Sequence, residues 1–295
     1  MKRRLSQSTL VGLVRLARPA NVITAYADIL AGYAAAPIAT PAALPFLLLA
    51  TTGLYGGGVV FNDVFDVNLD AIERPERPIP SGTVSVTAAA VFGSVLLIGG
   101  VFVAWRWSPL SGIVAAATAV AALVYDRIGK HHPALGPVNM GLCRALNLLL
   151  GVTAGGQIAQ FHWLLAAVPL CYIAGITSLS RGEVKGGTRA AAIISGCWLM
   201  ATFVVFFLVA ISRGVRAAWC LPFAAALLFR IFGPFRSAFQ SLTPVAIRGA
   251  VKTGILSLIL LDASLAAVFA GPWYAVGVLM LYVPATLLAK LFAVT

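Results

Sequence analysis

The chain has 295 residues, 60% of them hydrophobic and only 10% charged, with a formal net charge of +12. A soluble domain carries about a quarter charged residues, so this composition excludes the ordinary soluble class. The surplus of Lys and Arg marks the cytoplasmic ends of membrane helices rather than nucleic-acid binding.

In chain order, ten segments are long and apolar enough to span a bilayer as helix: 20–37, 44–61, 85–105, 110–125, 136–156, 161–179, 190–212, 216–233, 249–270 and 272–293. Helices are required because a lipid-exposed backbone must satisfy its own hydrogen bonds. The reading is an all-α, polytopic membrane bundle of 9–10 transmembrane helices in one domain, 1–295, with the last span as an addition. "MKRRLSQSTL" has basic residues but no apolar core followed by a cleavage site, so no signal peptide is read. "LVGLVRLARPAN" reads as an amphipathic lead-in, followed by Asn21 near the start of the first span.

With the N-terminus in the cytoplasm, 17 of the 21 Lys and Arg fall on that side. Arg106, Arg213 and Arg216 fall outside, and Arg144 lies within a span. Three polar connections then share the cytoplasmic face: 62–84, 126–135 and 180–189. The chemistry is expected there.

The first connection, "NDVFDVNLDAIERPERPIPSG", holds five carboxylates. If the second span continues through it as helix, Asn62, Asp66 and Asp70 stand four residues apart on one face, with Asp63 beside them. Stacked carboxylates repel, so they call for a cation. Carboxylate and amide oxygens near a phosphate suit Mg²⁺, which keeps waters and shares phosphate oxygens. Arg74 and Arg77 follow as direct phosphate ligands, and Pro78, Pro80 and Gly82 turn the chain. The bland alternative is a solvated loop whose acids pair with the two arginines.

That stretch resembles the first aspartate-rich motif of the UbiA superfamily of intramembrane prenyltransferases, NDxxDxxxD followed by RP[IL]PSG. The similarity extends through "RLARPANVITAYADILAG" and "LVYDRIGKHHPALGPVNMGLCRALNLLLG", touching most of residues 13–190. The resemblance implies a helical bundle around a lateral cavity, where a polyprenyl diphosphate binds through Mg²⁺ and yields its prenyl group to an acceptor. It implies Asn62, Asp63, Asp66 and Asp70 as metal ligands or close to them, with Asp66 and Asp70 catalytic. Arg74, Arg77 and Lys130 would hold the diphosphate, Tyr125 would line the cavity mouth, and Asn21 would lie near the donor. Mg²⁺ and cationic side chains stabilise the charge on the leaving diphosphate. The prenyl cation needs a dry, aromatic pocket.

The second motif of the family is DxxxD, and here the chain reads "ITSLSRGEVKGGTR". Alignment puts Glu183 on the second aspartate and Leu179 on the first, with Ser180, Arg181 and Lys185 nearby. Glu183 is expected as the remaining catalytic and metal-binding acid. Arg181 and Lys185 are expected to bind diphosphate, replacing one metal by direct salt bridges. The other reading is that ionisation chemistry is lost and the chain is a non-catalytic carrier of a lipid-linked or small metabolite. The same stretches are also similar to the UbiA-like branch encoded in the bacterial ebo operon, which implies operon-encoded partner enzymes.

Arg144 and Asn147, polar residues inside a span, are expected in the cavity. Asp28 lies on the face of Asn21, within reach of Arg144, and Asp262 reads as a structural partner. His131, His132 and His162 build no zinc set, and Cys143, Cys171, Cys197 and Cys220 show no metal-ligand spacing. The reading is therefore a Mg²⁺-assisted prenyltransferase of the bacterial inner membrane, with N-terminus and active-site loops cytoplasmic. Its partners are the bilayer, a polyprenyl diphosphate donor and an unidentified acceptor, not nucleic acid.

Overall fold

The computed structural model describes the backbone of residues 2–291 and side chains from residue 9 onward. The helices are α1 (Lys2–Leu16), α2 (Pro19–Ala35), α3 (Ala43–Phe65), α4 (Val67–Glu73), α5 (Val86–Trp107), α6 (Pro109–Arg127), α7 (Leu135–Val152), α8 (Gln160–Ser180), α9 (Arg189–Ile211), α10 (Leu221–Ser241), α11 (Pro244–Ala270), α12 (Pro272–Leu279) and α13 (Tyr282–Leu291). No strand occurs among the described residues. Several starts carry a side-chain cap: Ser85 accepts from Ala88 N at 3.1 Å, Ser108 from Ser111 N at 3.1 Å and Thr188 from Ala191 N at 3.2 Å. Each satisfies one backbone donor that a helix start leaves open.

Among the described residues, nine helical segments are long and apolar enough to cross a membrane, from Ala43–Phe65 to Pro272–Leu291. The first of the ten expected spans is the exception. It is α2, with 17 residues, about 26 Å long at the usual helical rise. Rather than facing lipid along its length, α2 packs between α7 and α11, with α13 also against it. The tenth run divides at Met280–Leu281. Pro284 has no N–H to give the carbonyl of Met280, and its ring clashes there, so the break falls one turn before the proline.

On α5, Val91, Val95, Ile98 and Phe102 are exposed at helical spacing, an apolar stripe of the kind that faces lipid. By contrast α11 is buried along most of its length. The close approach of α2 and α7 depends on two glycines. A Cβ at Gly32 would lie 2.0 Å from the Leu148 carbonyl oxygen, and one at Gly151 would lie 2.3 Å from that of Ile29. Both obstacles are backbone and cannot rotate away. Gly32→Ala is therefore expected to lower stability by about 1–3 kcal/mol, read as thermal unfolding in detergent. Gly99→Ala is the control, because nothing lies within 4 Å of that site; equal losses in the two variants would show that packing at Gly32 is not the cause.

The polar loop after α4 is pinned by its own small core. Ile79 and Val84 pack with Leu16, Val60 and Ala89, and Gly82 takes φ +74 at the turn, where a side chain would be strained. This fastening holds Arg74 and Arg77 over the end of α3.

Candidate active site

A cavity of about 390 Å³ opens among α2, α3, α6, α7, α8 and α11. Its two regions differ in chemistry. Asn62, Asp66, Asp70, Arg74, Arg77 and Lys130 gather at one end, whereas Leu54, Val59, Ile173, Ile176, Val251 and Leu258 contribute apolar wall.

The acids come from a helix that pauses without losing its phase. α3 stops at Phe65, Asp66 adopts φ −91 and ψ 6, and α4 resumes at Val67. The amides of Asp66, Asp70 and Arg74 still donate to the carbonyls of Asn62, Asp66 and Asp70, at 3.0, 2.8 and 2.8 Å. Asn62, Asp66, Asp70 and Arg74 therefore line the same cavity. Asp63, one residue off that row, turns away into buried structure and does not line it.

Each acid has a defined partner. Asp63 Oδ1 meets Arg18 Nη2 at 2.7 Å and Arg77 Nη1 at 3.0 Å. Arg77 Nη1 also donates to Asp70 Oδ2 at 2.7 Å, so one guanidinium ties the two carboxylates together. Lys130 Nζ lies 2.6 Å from Asp66 Oδ1. Asn62 Nδ2 donates to Asp126 Oδ1 at 2.9 Å, which leaves the Asn62 amide oxygen without a protein partner among the described residues. Burial pushes the Asp70 carboxyl above the usual carboxylate range, against the pull of Arg77.

The second polar loop supplies less than expected. α8 ends at Ser180, and the amides of Gly182 and Glu183 close turns onto Leu179 and Ser180. Those turns bring Glu183 inward, where it is buried, lines the cavity and faces Arg74 at 3.8 Å. Burial raises its pKa, with Arg74 opposing. Arg181 and Lys185, expected beside the diphosphate, are exposed and are not among the residues that line the cavity. The reason is local: a turn that points residue 183 inward points 181 and 185 to solvent. Leu179 is buried in the apolar core.

Tyr125, Asn21, Arg144 and Asn147 all line the cavity. Sequence reasoning passed over Asp126, Thr51 and Tyr55, which line it as well. Asp126 had a readable signal, since it lies one helical turn before Lys130 at the end of an apolar run.

Among the described residues no three His, Cys, Asp or Glu side chains are placed to hold a metal ion by themselves. The donor set nevertheless fits Mg²⁺, a hard cation that takes oxygen ligands and usually completes its shell with water and substrate phosphate. Asp66, Asp70 and the free amide oxygen of Asn62 are such donors on one wall.

The model of the UbiA prenyltransferase family matches residues 21–246. The chain is 30% identical over 267 residues to a digeranylgeranylglyceryl phosphate synthase of Methanoculleus marisnigri, covering 82% of this chain and 92% of that protein. A solved UbiA homologue from Aeropyrum pernix K1 has the same fold at TM-score 0.66 and 17% identity, over 82% of this chain and 97% of the other. A UbiA homologue from Archaeoglobus fulgidus, bound to DMAPP and Mg²⁺, matches at TM-score 0.57 and 17% identity, over 91% and 99%. At those identities the two structures speak for the fold alone.

Proposed function

The chain belongs to the UbiA prenyltransferase family, and from that premise we propose that it transfers a prenyl group from a prenyl diphosphate to an acceptor held in the membrane cavity. The observation that carries the reading is the division of that one cavity into a charged end and an apolar wall. A charged end suits a diphosphate with Mg²⁺ and an apolar wall suits a prenyl chain, the class of ligand that the Archaeoglobus homologue of the same fold holds as DMAPP and Mg²⁺. The name of the Methanoculleus relative makes geranylgeranyl diphosphate the first donor to test. The basic bias of the loops supports a cytoplasmic position for the charged end.

Asn62, Asp66 and Asp70 would hold Mg²⁺, with Glu183 across the cavity. When bound, the ion offsets the negative charge that builds on the leaving diphosphate. Arg74, Arg77 and Lys130 bind the diphosphate oxygens directly, the arginines through their planar donor edge. Asp63 holds Arg18 and Arg77 in place. Tyr55 and Tyr125 turn aromatic surface to the prenyl centre as positive charge develops there. The apolar wall keeps out the water that would otherwise capture it.

Asp126 acts through Asn62. By accepting from Nδ2 it fixes the amide so that the oxygen is left for the metal. Such outer partners typically matter by 10–100-fold in metal affinity. Asp126→Ala is accordingly expected to weaken Mn²⁺ binding by about 10–100-fold, measured by electron paramagnetic resonance in the presence of farnesyl thiodiphosphate. Unchanged affinity would mean that Asn62 is oriented without Asp126.

A carrier is the second reading, because Asp66, Asp70 and Glu183 already have cationic partners and Leu179 stands where the family has an acid. The experiment that separates the two follows diphosphate release from labelled geranylgeranyl and farnesyl diphosphates by purified protein with membrane extract, with Mg²⁺ or chelator. Mg²⁺-dependent release supports the enzyme. Binding without release supports the carrier.

A further inference from the structure

Four cations stand outside the cavity, on the edge of its mouth. Arg181 and Lys185, between α8 and α9, and Arg248 and Lys252, one turn apart on α11, are all exposed. Each has a cavity-lining residue close by in the chain. Arg181 follows Ser180, Lys185 is two residues past Glu183, and Arg248 and Lys252 flank Val251. Two residues of loop or one helical turn cover only about 5–7 Å, so these charges lie near the opening. The loop and the helix are also fastened to each other. The Gly187 amide donates to the Leu242 carbonyl at 2.9 Å. Gly182 lies so close to α11 that a Cβ there would be 2.7 Å from Ile247 Cδ1. Both pairs of cations therefore share one rim. Arg248 also bears on the mouth itself: burial raises the Glu183 pKa, and Arg248 joins Arg74 in opposing the rise.

No acid on the protein cancels the rim. Among the described residues none of the four enters an ion pair, and the chain carries no Asp or Glu from 184 to 261. Basic residues are expected at one end of membrane helices, but such an end need not be the rim of a cavity. Inside the mouth the balance is different. Lys130, Arg77 and Arg74 face Asp66, Asp70 and Glu183 at 2.6, 2.7 and 3.8 Å. From a distance such pairs cancel, because two opposite charges a few ångströms apart leave only a small difference of Coulomb terms. The inner cations can hold a diphosphate on contact but attract it weakly from afar. The rim cations do the reverse. They are too exposed to ligate strongly in water, yet their uncompensated charge reaches out over a screening length of about 8 Å.

We propose that Arg181, Lys185, Arg248 and Lys252 form a steering rim, which draws an anionic prenyl diphosphate from water to the mouth and does not ligate it once bound. This deepens the prenyl-transfer reading and rests on it. Clefts bordered by one sign of charge raise association rates by about 10–1,000-fold, and four exposed charges belong at the lower end of that range.

The test uses the full chain in phosphatidylcholine nanodiscs, whose surface has no net charge, with Mg²⁺ and a fluorescent geranyl thiodiphosphate. Stopped flow gives the association and dissociation rate constants. In the combined variant Arg181→Gln, Lys185→Gln, Arg248→Gln, Lys252→Gln, association is expected to slow about tenfold at an ionic strength of about 0.01 M. Dissociation should stay within about twofold of wild type, as for charges that steer without binding. The difference in association should close at about 1 M, where the screening length is about 3 Å. Arg181→Lys with Arg248→Lys should keep the wild-type rate, because steering needs charge and not the planar donor edge. A fluorescent prenyl alcohol, which has no charge, should associate equally fast with every form. An unchanged association rate in the glutamine variant, a loss carried by dissociation, or an equal loss for the alcohol would overturn the rim. Faster dissociation in the lysine variant would do so too, by making the arginines ligands of the bound diphosphate. If wild-type protein fails to bind the thiodiphosphate itself, the prenyl-transfer reading falls first, and the two failures are thereby told apart.

Discussion

Asp66→Asn is expected to reduce Mg²⁺-dependent diphosphate release by about a hundredfold or more, the scale seen when a preorganised group that stabilises developing charge is removed. The substitution nearly conserves volume, so the pause between α3 and α4 should survive. What changes is the charge of one oxygen on the row Asn62, Asp66, Asp70. That row faces the cavity because backbone hydrogen bonds run through it at 3.0, 2.8 and 2.8 Å, so no neighbouring side chain can rotate into its place. Asn at 66 also frees Lys130, now 2.6 Å from the carboxylate. A freed lysine strengthens direct contact with diphosphate, so donor binding should fall much less than release. The checking measurement is the ratio of the two, labelled-donor binding against diphosphate release. Equal losses in both would place Asp66 in ground-state binding only. Full retention of release would remove it from the metal site.

The periodic parts of this protein were the legible ones. A four-residue spacing survives as a face whether or not the helix pauses at Asp66, so Asn62, Asp66 and Asp70 were assigned together from sequence and do line one cavity. Asp63 was harder. A shift of one residue is about 100° around a helix, enough to turn it from the cavity to Arg18 and Arg77. Loops lack that periodicity. Nothing in "SRGEVKGG" says which of its three charged residues turns inward, and only the turns onto Leu179 and Ser180 decide for Glu183 over Arg181 and Lys185. Apolar length also counted α2 as an ordinary span. Its burial between α7 and α11 depends on glycines in two helices distant in sequence, Gly32 and Gly151. Asp126 was overlooked because its partner, Asn62, lies 64 residues away.

Arg77→Met should cost about 3 kcal/mol of stability, the lower end of the range for breaking a buried ion pair from one side. Arg77 is 15% exposed, against 6% for Asp63 and 7% for Asp70. Its removal does not orphan both acids. Asp63 keeps Arg18 at 2.7 Å, so the uncompensated charge falls on Asp70. Two consequences follow that a general loss of packing would not produce. Adding Asp70→Asn should restore much of the stability, whereas adding Asp63→Asn should restore little, a difference that a double-mutant cycle reads directly. The defect should also depend on pH. Burial already raises the Asp70 pKa with Arg77 present, and losing the arginine raises it further. In acid the carboxyl is protonated and buried as a neutral group, so the variant approaches wild type. As pH rises through that raised pKa the proton leaves, a charge is stranded, and the difference grows to its full size. Unfolding of the single and double variants in detergent, followed across that range, checks both points. A defect that is flat with pH, or one that Asp63→Asn repairs better than Asp70→Asn, would show that Arg77 serves Asp63 first, and that Asp70 is held for the metal by some other means.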